Sequence, residues 1–82
     1  MNSDEAFVEV AAVVRKTFNA GNIPISRQTS AMDIRGWDSL SHTILMLELE
    51  QRFQVRLPRS RIYGLKNVGD LADLIAEIST GK

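Results

Sequence analysis

Gly36-Trp37-Asp38-Ser39-Leu40 is the stretch of this 82-residue chain that most constrains its fold. Asp38 is a residue type favoured at helix N-caps, and a long apolar pattern follows it, so the sequence predicts a helix beginning at Ser39. The first turn of a helix presents unpaired N–H groups and the positive end of its dipole, which favour an anionic group. Ser39 therefore stands where a phosphate would be stabilised, although a plain capping role explains these five residues equally well.

An apolar repeat follows this start. Leu45, Leu49 and Phe53 recur at intervals of four, which predicts a helix over residues 39–54 with these three side chains in the core. Leu40, Ile44 and Leu47 lie on another side of the same helix. An exposed apolar patch of this kind usually marks a docking surface. The alternative is that the preceding loop covers these residues.

The rest of the chain predicts three further helical stretches. Asn2 and Glu5 have capping-box spacing and open a helix over residues 3–19. Asn67 and Asp70 start a last helix that ends near Ser79, and a short third helix spans residues 59–63. Apolar residues at helical intervals predict the core face of the first helix: Phe7, Val10, Ala11, Val14 and Phe18. Residues 20–37 are predicted to form a long ordered loop, held in place by the apolar side chains of Ile23, Ile25, Met32 and Ile34.

These elements predict an all-α fold, a small four-helix bundle. Helices one, two and four are the main helices, the third is short, and a long loop joins helices one and two. With 82 residues, 44% of them hydrophobic and 24% charged, the chain is expected to form a single globular domain over residues 1–82. It contains no cysteine, which excludes disulfides and Cys-ligated zinc. No apolar run approaches a membrane span and no metal-ligand pattern occurs, so we expect a cytoplasmic monomer with no membrane or metal partner.

Charge is uneven along the chain although the net charge is zero. Residues 48–66 hold five basic and two acidic side chains. The basic residues are Arg52, Arg56, Arg59, Arg61 and Lys66. Without interleaved aromatic residues or a nucleic-acid motif, this segment predicts no nucleic-acid partner.

The whole pattern resembles an acyl carrier protein. The resemblance rests on Asp38-Ser39-Leu40 at a helix start, on residues 45–58 after it and on residues 67–71 at the start of the last helix. It implies that a phosphopantetheinyl transferase moves a 4′-phosphopantetheine arm from coenzyme A onto Ser39. The thiol of the arm would carry acyl or aminoacyl groups as thioesters, so the chain would be a carrier and not an enzyme.

The resemblance also implies partner contacts. The transferase would recognise Asp38 and would contact the side chain of Leu40. Glu48 and Glu50 resemble the acidic positions with which family members meet basic partner surfaces. The partners would be an acyl- or aminoacyl-activating ligase and the downstream acyl-processing enzymes, and Ile44 and Leu47 would add the apolar docking surface described above.

The chain departs from the family beside these acidic positions and in the third helix, where carrier proteins are commonly strongly acidic and this chain has Arg52, Arg56, Arg59 and Arg61. That departure favours a specialised pathway, such as secondary-metabolite, aminoacyl or modified-lipid biosynthesis, over bulk fatty-acid synthesis. It also predicts partners with a less basic docking face.

Two other functions fit parts of the sequence. The chain could be an unmodified helical adaptor that docks a partner through Leu40, Ile44 and Leu47. Asp38, Ser39 and His42 could form a hydrolase triad, but three residues on one short turn leave little from which to build an oxyanion hole. His42 is instead expected at the surface, and Trp37 is expected to pack against the helix start with its N–H requiring a partner.

Overall fold

The computed structural model describes residues 2–19, 21, 23–62 and 64–80. These residues form four α-helices and contain no strand: α1 is Ser3–Thr17, α2 is Ser39–Phe53, α3 is Arg59–Ile62 and α4 is Val68–Thr80. The loop between α1 and α2 contains one turn of 3-10 helix, Ala31–Asp33. The predicted all-α class and helix order are confirmed. No helix of the described residues is long and apolar enough to cross a membrane.

α1 begins at the predicted capping box. The backbone N–H of Glu5 donates to the Asn2 side chain at 2.8 Å, and the Glu5 carboxylate accepts from the Asn2 N–H at 3.0 Å. The helix packs mainly against α4, and its buried face is Ala6, Val10, Ala11 and Val14. Phe7 and Phe18 were predicted to lie in the core but are only half-buried, at its edge.

α4 supplies the largest share of the core. Its start is capped as predicted, because the Asn67 side chain accepts from the backbone N–H of Asp70 at 2.8 Å. Its five buried hydrophobic residues are Val68, Leu71, Ala72, Leu74 and Ile75. They follow the helical period, so one stripe of α4 lies inside the bundle.

The long loop is fastened to α4 through the backbone. Val68 N–H donates to the Thr29 carbonyl at 2.8 Å, and Gly69 N–H donates to the Arg27 carbonyl at 2.9 Å. A Cβ on Gly69 would lie only 2.9 Å from the Arg27 carbonyl oxygen. This close approach requires glycine at position 69.

Two of the predicted loop anchors are wrong. Ile34 is buried and Ile25 is half-buried, but Ile23 is 45% exposed and Met32 is 96% exposed. The backbone bonds to α4 hold the loop in place, so the loop does not need to bury all four side chains.

α2 buries Leu45, Met46 and Leu49 and ends at Phe53, one residue before the predicted end. Phe53 is half-buried against the core rather than inside it. Gln54 adopts a left-handed conformation with φ 54°, which turns the chain into its extended exit. α3 is four residues long, and Tyr63, which the sequence assigned to it, lies outside the described residues.

Candidate functional site

Ser39 lies exposed at the first position of α2. Asp38 is the N-cap: its carboxylate accepts from the backbone N–H of Ser41 at 2.9 Å, and its carbonyl accepts from the N–H of His42 at 2.8 Å. The bond from the Ser41 N–H, with a smaller contribution from the Ser41 side chain, holds the pKa of Asp38 below its ordinary value. The helix start that presents Ser39 is therefore fixed by an ionised cap at neutral pH.

A shallow depression of about 300 Å³ opens beside Ser39. Three parts of the chain form it: the loop, the start of α2 and the segment after α3. The residues that line it are Ala31, Trp37, Asp38, Ser39, His42 and Leu65. Two of the three residues predicted for the cofactor site, Asp38 and Ser39, thus lie together at one depression. Leu40 follows them directly and is 72% exposed.

Two residues that line this depression, Trp37 and His42, belong to an aromatic stack. The Trp37 ring stacks on Phe18, with centroids 5.2 Å apart, and on His42, with centroids 6.1 Å apart. Trp37 Nε1–H donates to His42 Nδ1 at 3.1 Å. His42 Nε2 therefore carries the ring proton and donates to the Ile62 carbonyl at 3.1 Å.

The prediction that His42 is a surface residue is wrong. Its ring is half-buried and connects Trp37 to the end of α3. The sequence indicated that the Trp37 N–H needs an acceptor, but the second partner of His42, Ile62, lies twenty residues further along the chain.

The hydrolase triad does not form. Both ring nitrogens of His42 are bound to other groups, and the Asp38 carboxylate accepts from the backbone of Ser41. A triad requires the histidine to accept from the serine while the carboxylate orients its other nitrogen. Among the described residues there is also no cluster of His, Cys, Asp or Glu that could hold a metal ion.

The outer side of α2 carries an apolar patch, here called the α2 patch: Leu40, Ile44 and Leu47. These residues are 72%, 45% and 54% exposed. The loop therefore does not cover them, and the alternative in which they are buried beneath it is wrong. A cluster of exposed aliphatic side chains at helical spacing is available for contact with another protein.

Three of the charged residues predicted to meet partners, Glu48, Glu50 and Arg61, also bond within this chain. Glu48 accepts from the Thr17 hydroxyl at 2.7 Å, which connects α2 to α1. Arg61 pairs with Glu77 at 2.8 Å, and this bond raises the pKa of Arg61 and lowers that of Glu77. Glu50 accepts from the backbone N–H of Leu57 at 2.7 Å, while Arg59 is exposed at the start of α3.

Residues 8–75 match the model of the family described as the phosphopantetheine attachment site. The chain belongs to this family. It is 28% identical over 76 residues to the acyl carrier protein of Acidothermus cellulolyticus, covering 93% of this chain and 90% of that protein. It is 27% identical over 71 residues to the acyl carrier protein of Helicobacter pylori, covering 87% and 91% respectively.

A solved structure shares the fold. The solution NMR structure of the holo acyl carrier protein of Geobacter metallireducens superposes with a TM-score of 0.85 at 37% identity, over 93% of this chain and 87% of that one. The resemblance to acyl carrier proteins is confirmed, and the chain is an acyl carrier protein with a phosphopantetheine-attachment domain. The cofactor of this family is covalently attached 4′-phosphopantetheine. Its members interact with phosphopantetheinyl transferases and acyl-processing enzymes.

Proposed function

We propose that this acyl carrier protein carries acyl or aminoacyl groups as thioesters on a 4′-phosphopantetheine arm attached to Ser39. The observation that supports Ser39 most directly is its exposure in the first turn of α2, inside the segment that matches the family. A phosphodiester there would lie by the N-terminal amides of the helix, which stabilise negative charge. The depression beside Ser39 leaves room for the arm, so the residues present fit this group.

Each neighbouring residue has a distinct role in this proposal. Asp38 fixes the start of α2 and so the position of the Ser39 hydroxyl. Leu40 presents an apolar side chain to the transferase that attaches the arm. The arm supplies the thiol that the cysteine-free chain lacks. Tethering then raises the concentration of the cargo at a bound enzyme to about millimolar, so the chain needs no catalytic residues of its own.

Mass spectrometry tests the attachment. The purified chain is incubated with coenzyme A and a promiscuous phosphopantetheinyl transferase, and we expect a mass increase of one arm. Ser39→Ala should abolish the increase, and Ser41→Ala should retain it, since the backbone N–H of Ser41 that bonds Asp38 is unchanged. An arm on Ser39→Ala, or no arm under conditions that modify a known carrier, would contradict the proposal.

We further propose that the carrier serves a specialised pathway. On α2, Glu48 and Glu50 each bond within this chain, and Arg59 is exposed where the family is commonly acidic. A partner that docks on the α2 patch and α3 would therefore meet a less acidic surface than a bulk fatty-acid carrier offers. We expect its partners to be a dedicated acyl- or aminoacyl-activating ligase and the enzymes that follow it.

An acyltransferase of bulk fatty-acid synthesis tests this second proposal. The holo chain should be a poorer acceptor than a fatty-acid carrier, and Arg59→Glu should raise the rate of transfer. Lys16→Glu, an equal charge change on α1, should leave the rate unchanged. Equal rates for the two carriers would contradict a specialised pathway.

The unmodified adaptor is the second candidate function, and the exposed Leu40, Ile44 and Leu47 favour it. The same mass measurement separates it from the carrier, because an adaptor gains no arm. The monomeric state, the cytoplasmic location, the absence of a nucleic-acid partner and the action of residues 1–82 as one carrier domain stay predictions.

A further inference from the structure

The depression beside Ser39 continues toward the core as a much smaller cavity. The outer space is about 300 Å³, and the inner one is about 40 Å³. Both are lined by Ala31, Trp37, His42 and Leu65, so they adjoin each other. The inner cavity reaches Leu71, which is almost fully buried in α4. Trp37 and His42 therefore lie among the residues where the outer space meets the inner one.

Two hydrogen bonds hold Trp37 and His42 between these spaces, and the bonded pair is here called the Trp37–His42 latch. The indole N–H bonds His42, and the other nitrogen of His42 bonds the Ile62 carbonyl, each at 3.1 Å. The indole is also stacked between Phe18 and His42. Opening the latch would leave the indole N–H and the Ile62 carbonyl without these partners in a half-buried setting, which is unfavourable.

The inner cavity is too small for an acyl chain. An apolar cavity of about 150 Å³ accommodates benzene, and 40 Å³ is far below that size. Its lining also includes the polar residues Lys66 and Asn67. The space behind the latch is therefore neither large enough nor wholly apolar enough to receive several methylene groups.

We infer that the Trp37–His42 latch keeps the cargo of this carrier outside the helical core and suits the protein to short or polar acyl groups. The inference rests on the proposed attachment at Ser39. Each methylene group that moves from water into an apolar core shifts the equilibrium toward the buried state by about fourfold. A long apolar chain that stays in water loses this stabilisation. Short acyl and aminoacyl groups lose little by staying outside. His42 is a positioning residue here, because it acts by holding the indole and α3.

Thioester reactivity tests the inference. The transferase is supplied with acetyl, butyryl, hexanoyl or octanoyl coenzyme A, and the acylated chain is then treated with hydroxylamine, which cleaves exposed thioesters. For the unaltered protein we expect the rates of octanoyl and acetyl cleavage to agree within about twofold, a smaller difference than the burial of one methylene group would cause. Trp37, the single tryptophan of the chain, should show the same fluorescence with every cargo.

Variants of the latch sharpen the test. His42→Ala should join the two spaces and add the volume of the lost imidazole to the inner one, which makes room for one methylene group. The rate of octanoyl cleavage should then fall by about fourfold relative to that of acetyl cleavage. His42→Gln should keep the latch closed, because an amide can accept from Trp37 and donate to Ile62. Trp37→Phe, which retains a ring but removes the N–H donor, gives a second open variant if His42→Ala fails to fold.

Each outcome bears on the inference. Protection of the octanoyl thioester or a cargo-dependent Trp37 signal in the unaltered protein would overturn it. Folded His42→Ala and Trp37→Phe that cleave all cargoes at equal rates would overturn the role of the latch. If no arm attaches to Ser39 at all, the proposed function fails and the inference fails with it, a result that the mass measurement distinguishes from the others.

Discussion

α4 and α2 are helices of 13 and 15 residues that differ in where their apolar side chains lie. In α4 the apolar residues are buried or half-buried, and its whole apolar stripe contributes to the core. α2 buries Leu45, Met46 and Leu49 but leaves Leu40, Ile44 and Leu47 exposed. Core formation accounts for all the apolar residues of α4 but for only some of those of α2. The unexplained part of α2 follows directly on Ser39.

This contrast separates two demands on the chain. Residues that hold the bundle together lie where α1, α4 and the inner face of α2 meet. Residues proposed to carry and present cargo lie at the start and outer face of α2, where little of the core depends on them. Substitutions in the two regions should therefore affect different measurements.

The largest expected effect is on the α4 side. Leu74→Ala should lower the free energy of unfolding by about 2–5 kcal/mol, because it leaves a cavity at an almost fully buried position. The total free energy of unfolding expected for 82 residues is only about 4–12 kcal/mol, so this loss is enough to unfold much of the variant. Urea denaturation followed by circular dichroism measures the change. A loss below about 1 kcal/mol would contradict the packing of α4 described above.

Gly69→Ala tests the close approach of the loop to α4. The added Cβ would meet backbone and Cβ atoms of Arg27 at 2.9 Å, and the loop must move to accept it. We expect a loss of about 1–3 kcal/mol in the free energy of unfolding, as for other overpacked sites. Gly64→Ala is the matched control, because the nearest atom to its Cβ would be 3.9 Å away. Equal stability of the two variants would rule out the close approach.

Asp38 gives a smaller effect that depends on pH. Its pKa is lowered in the folded state, so its charge contributes stability above the unfolded pKa, and this contribution is lost as pH falls through the folded value. Asp38→Asn retains a capping side chain that does not titrate. The stability advantage of the unaltered protein over the Asp38→Asn variant should thus shrink below about pH 4. A difference in melting temperature that is constant with pH would contradict this assignment.

The smallest change in stability is expected on the outer side of α2. Leu47→Ala removes a side chain that is 54% exposed and should alter the free energy of unfolding by no more than about 0.5 kcal/mol. The rate at which a partner enzyme acts on the holo chain should fall, because an apolar contact is lost. Comparison of melting curves with transfer rates checks both parts. A destabilised protein with unchanged transfer would reverse the roles assigned to the two helices.

Local signals predicted much of the fold. The caps at Asn2, Asp38 and Asn67 gave the helix starts, because capping depends on residues three positions apart. The Asp38 cap also placed Ser39 in the first turn of α2, and the spacing of the apolar residues indicated the spare apolar face of that helix.

Contacts between distant residues were not predictable in the same way. Apolar character suggested Ile23 and Met32 as loop anchors, but backbone bonds to Val68 and Gly69 fasten the loop, and backbone groups leave no trace in the sequence. His42 resembled a surface residue because its acceptor is the carbonyl of Ile62, which any residue type would provide. Phe18 and Phe53 fit the helical period and yet lie at the edge of the core, since periodicity gives the side of a helix but not the depth of burial.

The backbone N–H groups of Val68 and Gly69 donate to carbonyls of the long loop, and these bonds affect how fast the two amides exchange. First-turn amides of a helix have no partner within it and ordinarily exchange quickly with solvent. At the start of α4 these two protons are held by residues about forty positions earlier in the chain. Their exchange rates would therefore report when the long loop releases the bundle, a motion that leaves the helices themselves intact.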